Sequence, residues 1–222
     1  MNPIVALGLV VIAGVVVYVL WTRTADETKT GEFVLLKGSH PGKVEKSLSL
    51  GLPRSFNQPE GLIFSYAAWI LVKDFQAGYG SPRRIFSKNN APGVYLDGTS
   101  NTILVNLTTF DGIETMVVPN IPAMKWIHFA LVVDQDAADV YINGTLREHR
   151  SMSRLPKQNE DSIDIGPGWD GVLARLSYWP RAITPTEVDI LSKQPAPDDL
   201  IGKPATPQYF DLSWYVGRFY SA

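Results

Sequence analysis

Two short stretches, "EDSIDIG" at 160–166 and "EVDIL" at 187–191, bring carboxylates close enough together to suggest acid–base chemistry. Retaining glycoside hydrolysis needs two carboxyl groups about 5–5.5 Å apart, one as nucleophile and one as acid/base. Glu187 and Asp189 have the i, i+2 spacing that would line one face of a strand. Glu187, however, falls within "TPTEVDILSK", where Thr184, Pro185 and Glu187 read as the N-cap, N1 and N3 of a short helix. Its expected work is capping. Asp161 and Asp164 stand at i, i+3, which puts them on opposite faces of a strand. No catalytic residue is assigned, and the chain is not expected to be an enzyme.

Other constellations are weaker. His40 lies in a Gly/Pro turn, His128 in a core-like strand and His149 in the charged "REHR" run. No nucleophile elbow and no glycine-rich phosphate loop is present. The lack of cysteine excludes thiolate metal sites and cysteine nucleophiles. With 20 Lys and Arg against 22 Asp and Glu, the net charge of −2 offers no basic footprint for a nucleic acid.

The elements that position these residues are short and β-rich. Short β-type runs at 32–37, 62–73, 83–88, 93–97, 102–107, 113–118, 125–134, 139–143, 145–150 and 172–179 are separated by turn clusters such as "DGTSN" and "GPGWDG". Asn143-Gly144 marks a two-residue type I′ hairpin, because both positions tolerate positive φ. Such spacing without intervening helices predicts an antiparallel sandwich or barrel. "KWIHFALVVD" is apolar on both parities, as a central strand covered on both faces would be.

Ahead of this lies Ile4–Trp21, an uncharged run of 18 residues. As a helix it would span about 27 Å, close to the hydrocarbon thickness of a bilayer, with Tyr18 and Trp21 at one interface. The run is expected to be a retained single-pass anchor. Arg23, Lys29 and Lys37 follow it and no Lys or Arg precedes it, which places the domain on the cytoplasmic side. The absence of cysteine agrees with that side, while the sequons at Asn106 and Asn143 point to the other. The expected organisation is an anchor at 1–24, a β domain at 25–194, and a Pro-rich connector with an aromatic tail at 195–222.

The series "SYAAWILV", "RRIFSK", "KWIHFALVVD", "DVYINGTLREH" and "GVLARLSYWPRAITPTEV" resembles the laminin-G-like branch of the concanavalin A-like lectin/glucanase superfamily over roughly residues 31–194. The resemblance implies an all-β antiparallel jelly-roll sandwich with one short C-terminal helix. Its glucanase members carry Glu-x-Asp-x-Glu along one strand, and "EVDIL" lacks the final acid. Some members bind calcium on rim loops, where Asp97, Asp111 and Asp170 stand here. Each is followed by Gly and reads first as a turn, so no cofactor and no metal is assigned. The resemblance gives His128 a structural role.

Six aromatics crowd the last 14 residues: Tyr209, Phe210, Trp214, Tyr215, Phe219 and Tyr220. Aromatics at that density are seldom left in water, so the tail either packs on its own domain or membrane, or docks on a neighbouring subunit with Arg218 among its anchors. A membrane span followed by a laminin-G-like domain is similar to minor capsid proteins of large DNA viruses with an internal membrane. The expected role is therefore a non-catalytic link between a bilayer and capsid subunits, in a virion between membrane and shell. The alternatives are a glycan-binding lectin or adhesin, with Trp169 and Asp170 on a glycan-facing loop, and a divergent glycoside hydrolase.

Overall fold

A computed structural model describes residue 14 and residues 31–49, 51–54 and 62–197. The anchor at 4–21, apart from Gly14, and the tail residues Tyr209 to Tyr220 lie outside the described residues. Among those described, no helix is long and apolar enough to cross a membrane.

The first six strands are β1 (Phe33–Pro41), β2 (Lys46–Leu48), β3 (Ile63–Asp74), β4 (Arg83–Ser87), β5 (Gly93–Leu96) and β6 (Ile103–Thr109). They are followed by β7 (Gly112–Val118), β8 (Trp126–Asp134), β9 (Ala137–Ile142), β10 (Thr145–Ser151), β11 (Ile163–Ile165) and β12 (Asp170–Trp179). One short helix, α1 (Pro185–Ser192), comes after them. The strands form two six-stranded antiparallel sheets, ordered β1-β12-β3-β8-β9-β10 and β2-β11-β4-β5-β6-β7. This is an all-β sandwich consistent with a jelly-roll.

Period-2 alternation builds the interior. Ile103, Val105 and Leu107 of β6 turn inward while Leu104 and Asn106 do not, and Phe64, Tyr66, Ile70 and Val72 of β3 meet them from the other sheet. β8 is covered on both sides, as its two-parity apolar pattern requires. Ile127, Phe129 and Leu131 enter the central core, while Ala130 and Val132 join a second cluster on the outer face with Tyr141, Trp179 and Val188. The helix forms the lid of that outer cluster.

The seat of α1 explains the "WPRAITPTEV" segment. Thr184 Oγ1 accepts from Glu187 N at 3.2 Å, and Glu187 Oε2 accepts from Thr184 N at 2.7 Å, closing the capping box. Arg181 grips the same carboxylate with both Nη atoms, at 3.0 and 2.6 Å. Ser65 Oγ of β3 donates to Arg181 O at 2.8 Å and accepts from Ile183 N at 3.1 Å, tying the turn to the sheet. Replacing Thr184 with alanine should cost about 1 kcal/mol of stability, read as a lower urea midpoint at unchanged m-value.

Candidate functional site

The acids legible in the sequence are committed elsewhere. The Arg181 fork, and then the Thr184 cap, hold the Glu187 carboxyl down at about 2 against an ordinary 4.5. A carboxyl so firmly ionised is a poor general acid at neutral pH. Asp189 pairs with Lys193 at 2.6 Å, Asp161 accepts from Asn89 at 2.9 Å, and Asp164 faces Arg84 at 3.4 Å. The rim acids are likewise taken up. Asp97 Oδ2 accepts from the backbone and hydroxyl of both Thr99 and Ser100, and the Ser100 hydroxyl does most to pull its carboxyl below the usual range. Asp111 faces Arg154 at 3.2 Å and Asp170 faces Lys43 at 2.8 Å. Among the described residues no three His, Asp or Glu side chains gather as a metal site would need.

Trp169 corrects an expectation. Placed by sequence on an exposed glycan-facing loop, it is fully buried in the central core. The indole fits a slot that exists because two neighbours lack a Cβ. One added at Gly42 would stand 2.3 Å from Trp169 Cε2, and one at Gly171 would stand 2.2 Å from Cζ3. A ring clamped between backbones presents no face to a sugar.

The outer face of the first sheet holds a different site, a cleft of about 280 Å³ beside α1. Trp69 and His128 are register partners on β3 and β8, and their rings meet edge to face at 5.3 Å between centroids. Ala67, Trp179 and Leu191 complete the apolar wall. Glu32, Lys37, Arg175 and Gln194 supply a polar rim. Past Trp179 a second hollow of about 130 Å³ continues along Ile183, Ile190 and Leu191.

Two local features shape the cleft. β12 breaks register between Ala174 and Ser177, and within that bulge Arg175 takes φ +49. A non-glycine residue in the left-handed region costs about 1 kcal/mol or more, and such strain concentrates at working sites. Here the bulge turns Arg175 outward, where its Nη1 donates to Pro195 O at 2.7 Å. The second feature is the hairpin. Asn143 and Gly144 take φ +52 and +79, and Asn143 Oδ1 accepts from His128 N at 2.8 Å while Asn143 N donates to His128 O at 2.8 Å. The turn thus braces the strand carrying the cleft histidine.

His128 is only 2% exposed, and its Nδ1 has no hydrogen-bond partner among the described residues. Burial lowers its pKa to about 4 from 6.5, so the ring is neutral near pH 7. The sign follows from proton linkage: between those values the unfolded chain holds the extra proton, so stability falls as pH drops from 6.5 towards 4. The loss should be on the order of 3 kcal/mol, read by urea titration at stepped pH, and His128→Phe should flatten that part of the profile. Sequence reading had assigned His128 to structure and had not singled out Trp69 or Arg175. Trp69 carried a weak signal, an aromatic on the parity opposite Ile70 in the apolar run Tyr66 to Val72.

The laminin G-type model of the concanavalin A-like lectin/glucanases superfamily matches residues 49–189. A comparison with curated proteins finds no match. Among solved structures, the receptor binding domain of botulinum neurotoxin D aligns with TM-score 0.59 and 10% identity, over 72% of this chain and 47% of that one. The binding domain of serotype G gives 0.52 and 18%, over 69% and 45%. A type C structure, from a toxin whose cell entry depends on interaction with two ganglioside molecules, gives 0.54 and 12%, over 73% and 51%. The chain thus spans about half the length of these structures, and the likeness is one of fold. With more than half of its 222 residues matched and the two-sheet sandwich beneath them, this chain belongs to the concanavalin A-like lectin/glucanases superfamily.

Proposed function

We propose that this chain is a non-catalytic binding module, held at a bilayer by residues 4–21 and joining that bilayer to a protein assembly. The observation that carries the non-catalytic part is the commitment of both candidate acid pairs to a cap, ion pairs and hydrogen bonds. A recessed cleft with an unpartnered histidine nitrogen is suited to holding a group and lacks the paired acids that glycoside hydrolysis requires. The flanking Arg23, Lys29 and Lys37 favour a domain on the cytoplasmic face, and a virion with an internal membrane, with this chain as a minor capsid protein, is the assembly that suits such a topology. Three measurements test this together. The full chain should float with liposomes, its domain should be protected or cleaved by protease as a cytoplasmic domain is in sealed membranes, and it should be recovered from particles in fixed ratio to a shell protein. Turnover of a β-glucan by the purified full chain, or a domain on the far side of the membrane, would overturn the reading.

A second reading is a glycan-binding membrane protein. It is favoured by the shared fold with toxin receptor-binding domains and by the Trp69 and Trp179 walls under a polar rim. It predicts that a glycan array probed with the full chain gives signals that Trp69→Ala abolishes.

A further inference from the structure

We infer that the outer-face cleft beside α1 is filled by the aromatic tail of the same chain, with Trp214 or Tyr215 in the larger hollow. The inference rests on the cleft being a binding site and names its occupant. Three observations carry it. The first is the cleft itself: apolar walls of Ala67, Trp69, Trp179 and Leu191 beside the His128 ring, under a polar rim, fit an aromatic side chain with a polar N–H or O–H at its edge. The second is where the chain leaves the described body. Gln194 lines the cleft, Arg175 on its rim holds Pro195, and Pro197 is buried. The departing segment therefore starts at the cleft mouth.

The third is what that segment carries. Residues 198–208 separate Pro197 from Tyr209, and with two prolines and one glycine they form a connector with a root-mean-square reach of roughly 20 Å. A tether of that length returns the tail to its own cleft at an effective concentration of roughly 1 mM. One aromatic anchor of some ten atoms holds a shallow cleft with Kd of about 0.1 mM. Docked tail then exceeds free tail by about tenfold, without any help from a second molecule. The second hollow past Trp179 offers a place for a second ring, which the spacing of Trp214, Tyr215, Phe219 and Tyr220 can supply.

The test uses the full chain in detergent micelles, with p-benzoyl-phenylalanine in place of Trp214. On irradiation, cross-links should map within one chain to the stretches around residues 67–69, 128 and 175–179. Val34, at the cleft edge and 47% exposed, provides the block: Val34→Trp should cut those cross-links about tenfold and lower stability by no more than the docked tail contributes, about 1.4 kcal/mol for a tenfold bias. Cross-links between chains, distinguished by mixing isotope-labelled and unlabelled protein, would overturn the proposal in favour of a second copy as occupant. Cross-links to detergent alone, or cis cross-links indifferent to Val34→Trp, would also overturn it. If the tail proves absent from the cleft and Val34→Trp still blocks a glycan or a shell protein, the cleft remains a site with another occupant. If Val34→Trp changes neither, the cleft reading falls with it.

Discussion

Replacing Trp169 with alanine is expected to lower stability by about 3–5 kcal/mol, among the largest losses any single truncation in this domain can cause. The indole is the largest fully buried side chain described, and it is wedged between Gly171 of β12 and Gly42 in the turn after β1. Gly42 and Gly171 contribute only backbone to the slot walls, so neither has a side chain to fill the space left. Trp169→Phe should cost far less. It keeps a ring in the slot and removes an Nε1 that has no partner among the described residues. Gly171→Ala should be as harmful as Trp169→Ala, since its Cβ would meet both Leu71 O and the indole at 2.2 Å. Urea unfolding followed by tryptophan fluorescence and far-ultraviolet circular dichroism checks all three. A Trp169→Ala protein as stable as the parent would show that the ring is not buried.

Arg83→Met should cost a similar 3–5 kcal/mol, for an electrostatic reason. Arg83 is a cation only 3% exposed, and its planar fork is met by carbonyl oxygens. Nη1 donates to Phe75 O at 2.5 Å and Ala77 O at 2.8 Å, and Nη2 donates to Asp97 O. Burial lowers its pKa, and the charges of Asp97 and Asp74 partly restore it. Methionine fills the volume but strands three acceptors, each costing about 1–3 kcal/mol when left without a donor. Arg83→Lys should fall between, because one ammonium cannot span the fork. The 75–81 and 97–100 loops should loosen first, seen as faster amide exchange there before any global unfolding.

Much of the sandwich could be read from alternation alone. Ile103 to Leu107 and Asn143-Gly144 announce a strand and a hairpin because side-chain period and turn chemistry are local properties. Helix α1 was legible for the same reason, since Thr184, Pro185 and Glu187 are neighbours in sequence. β2 and β11 were not, because three residues are too few to show a period. Trp169 was misplaced because burial depends on what stands opposite. The residue that makes room for its ring, Gly42, lies far away in the chain and offers no cue. The cleft was invisible for a related reason. It needs Trp69 opposite His128 in register, a bulge that gives Arg175 positive φ, and a helix that covers only part of the outer face.

The cleft also fixes how the domain would bear a load. Glu32, just ahead of β1, and Gln194, just after α1, both line it, so the two ends of the described body emerge side by side. β1 lies at the sheet edge and pairs antiparallel with β12, with Phe33 opposite Tyr178 at the end nearest both exits. Tension drawn between those exits would first free Pro195 and unseat the helix. It would then peel the edge ladder one pair at a time, as a zipper opens, and never shear all its bonds together. A module strung by these two ends yields gradually at its margin, while the remaining strands of the sandwich stay out of the line of force.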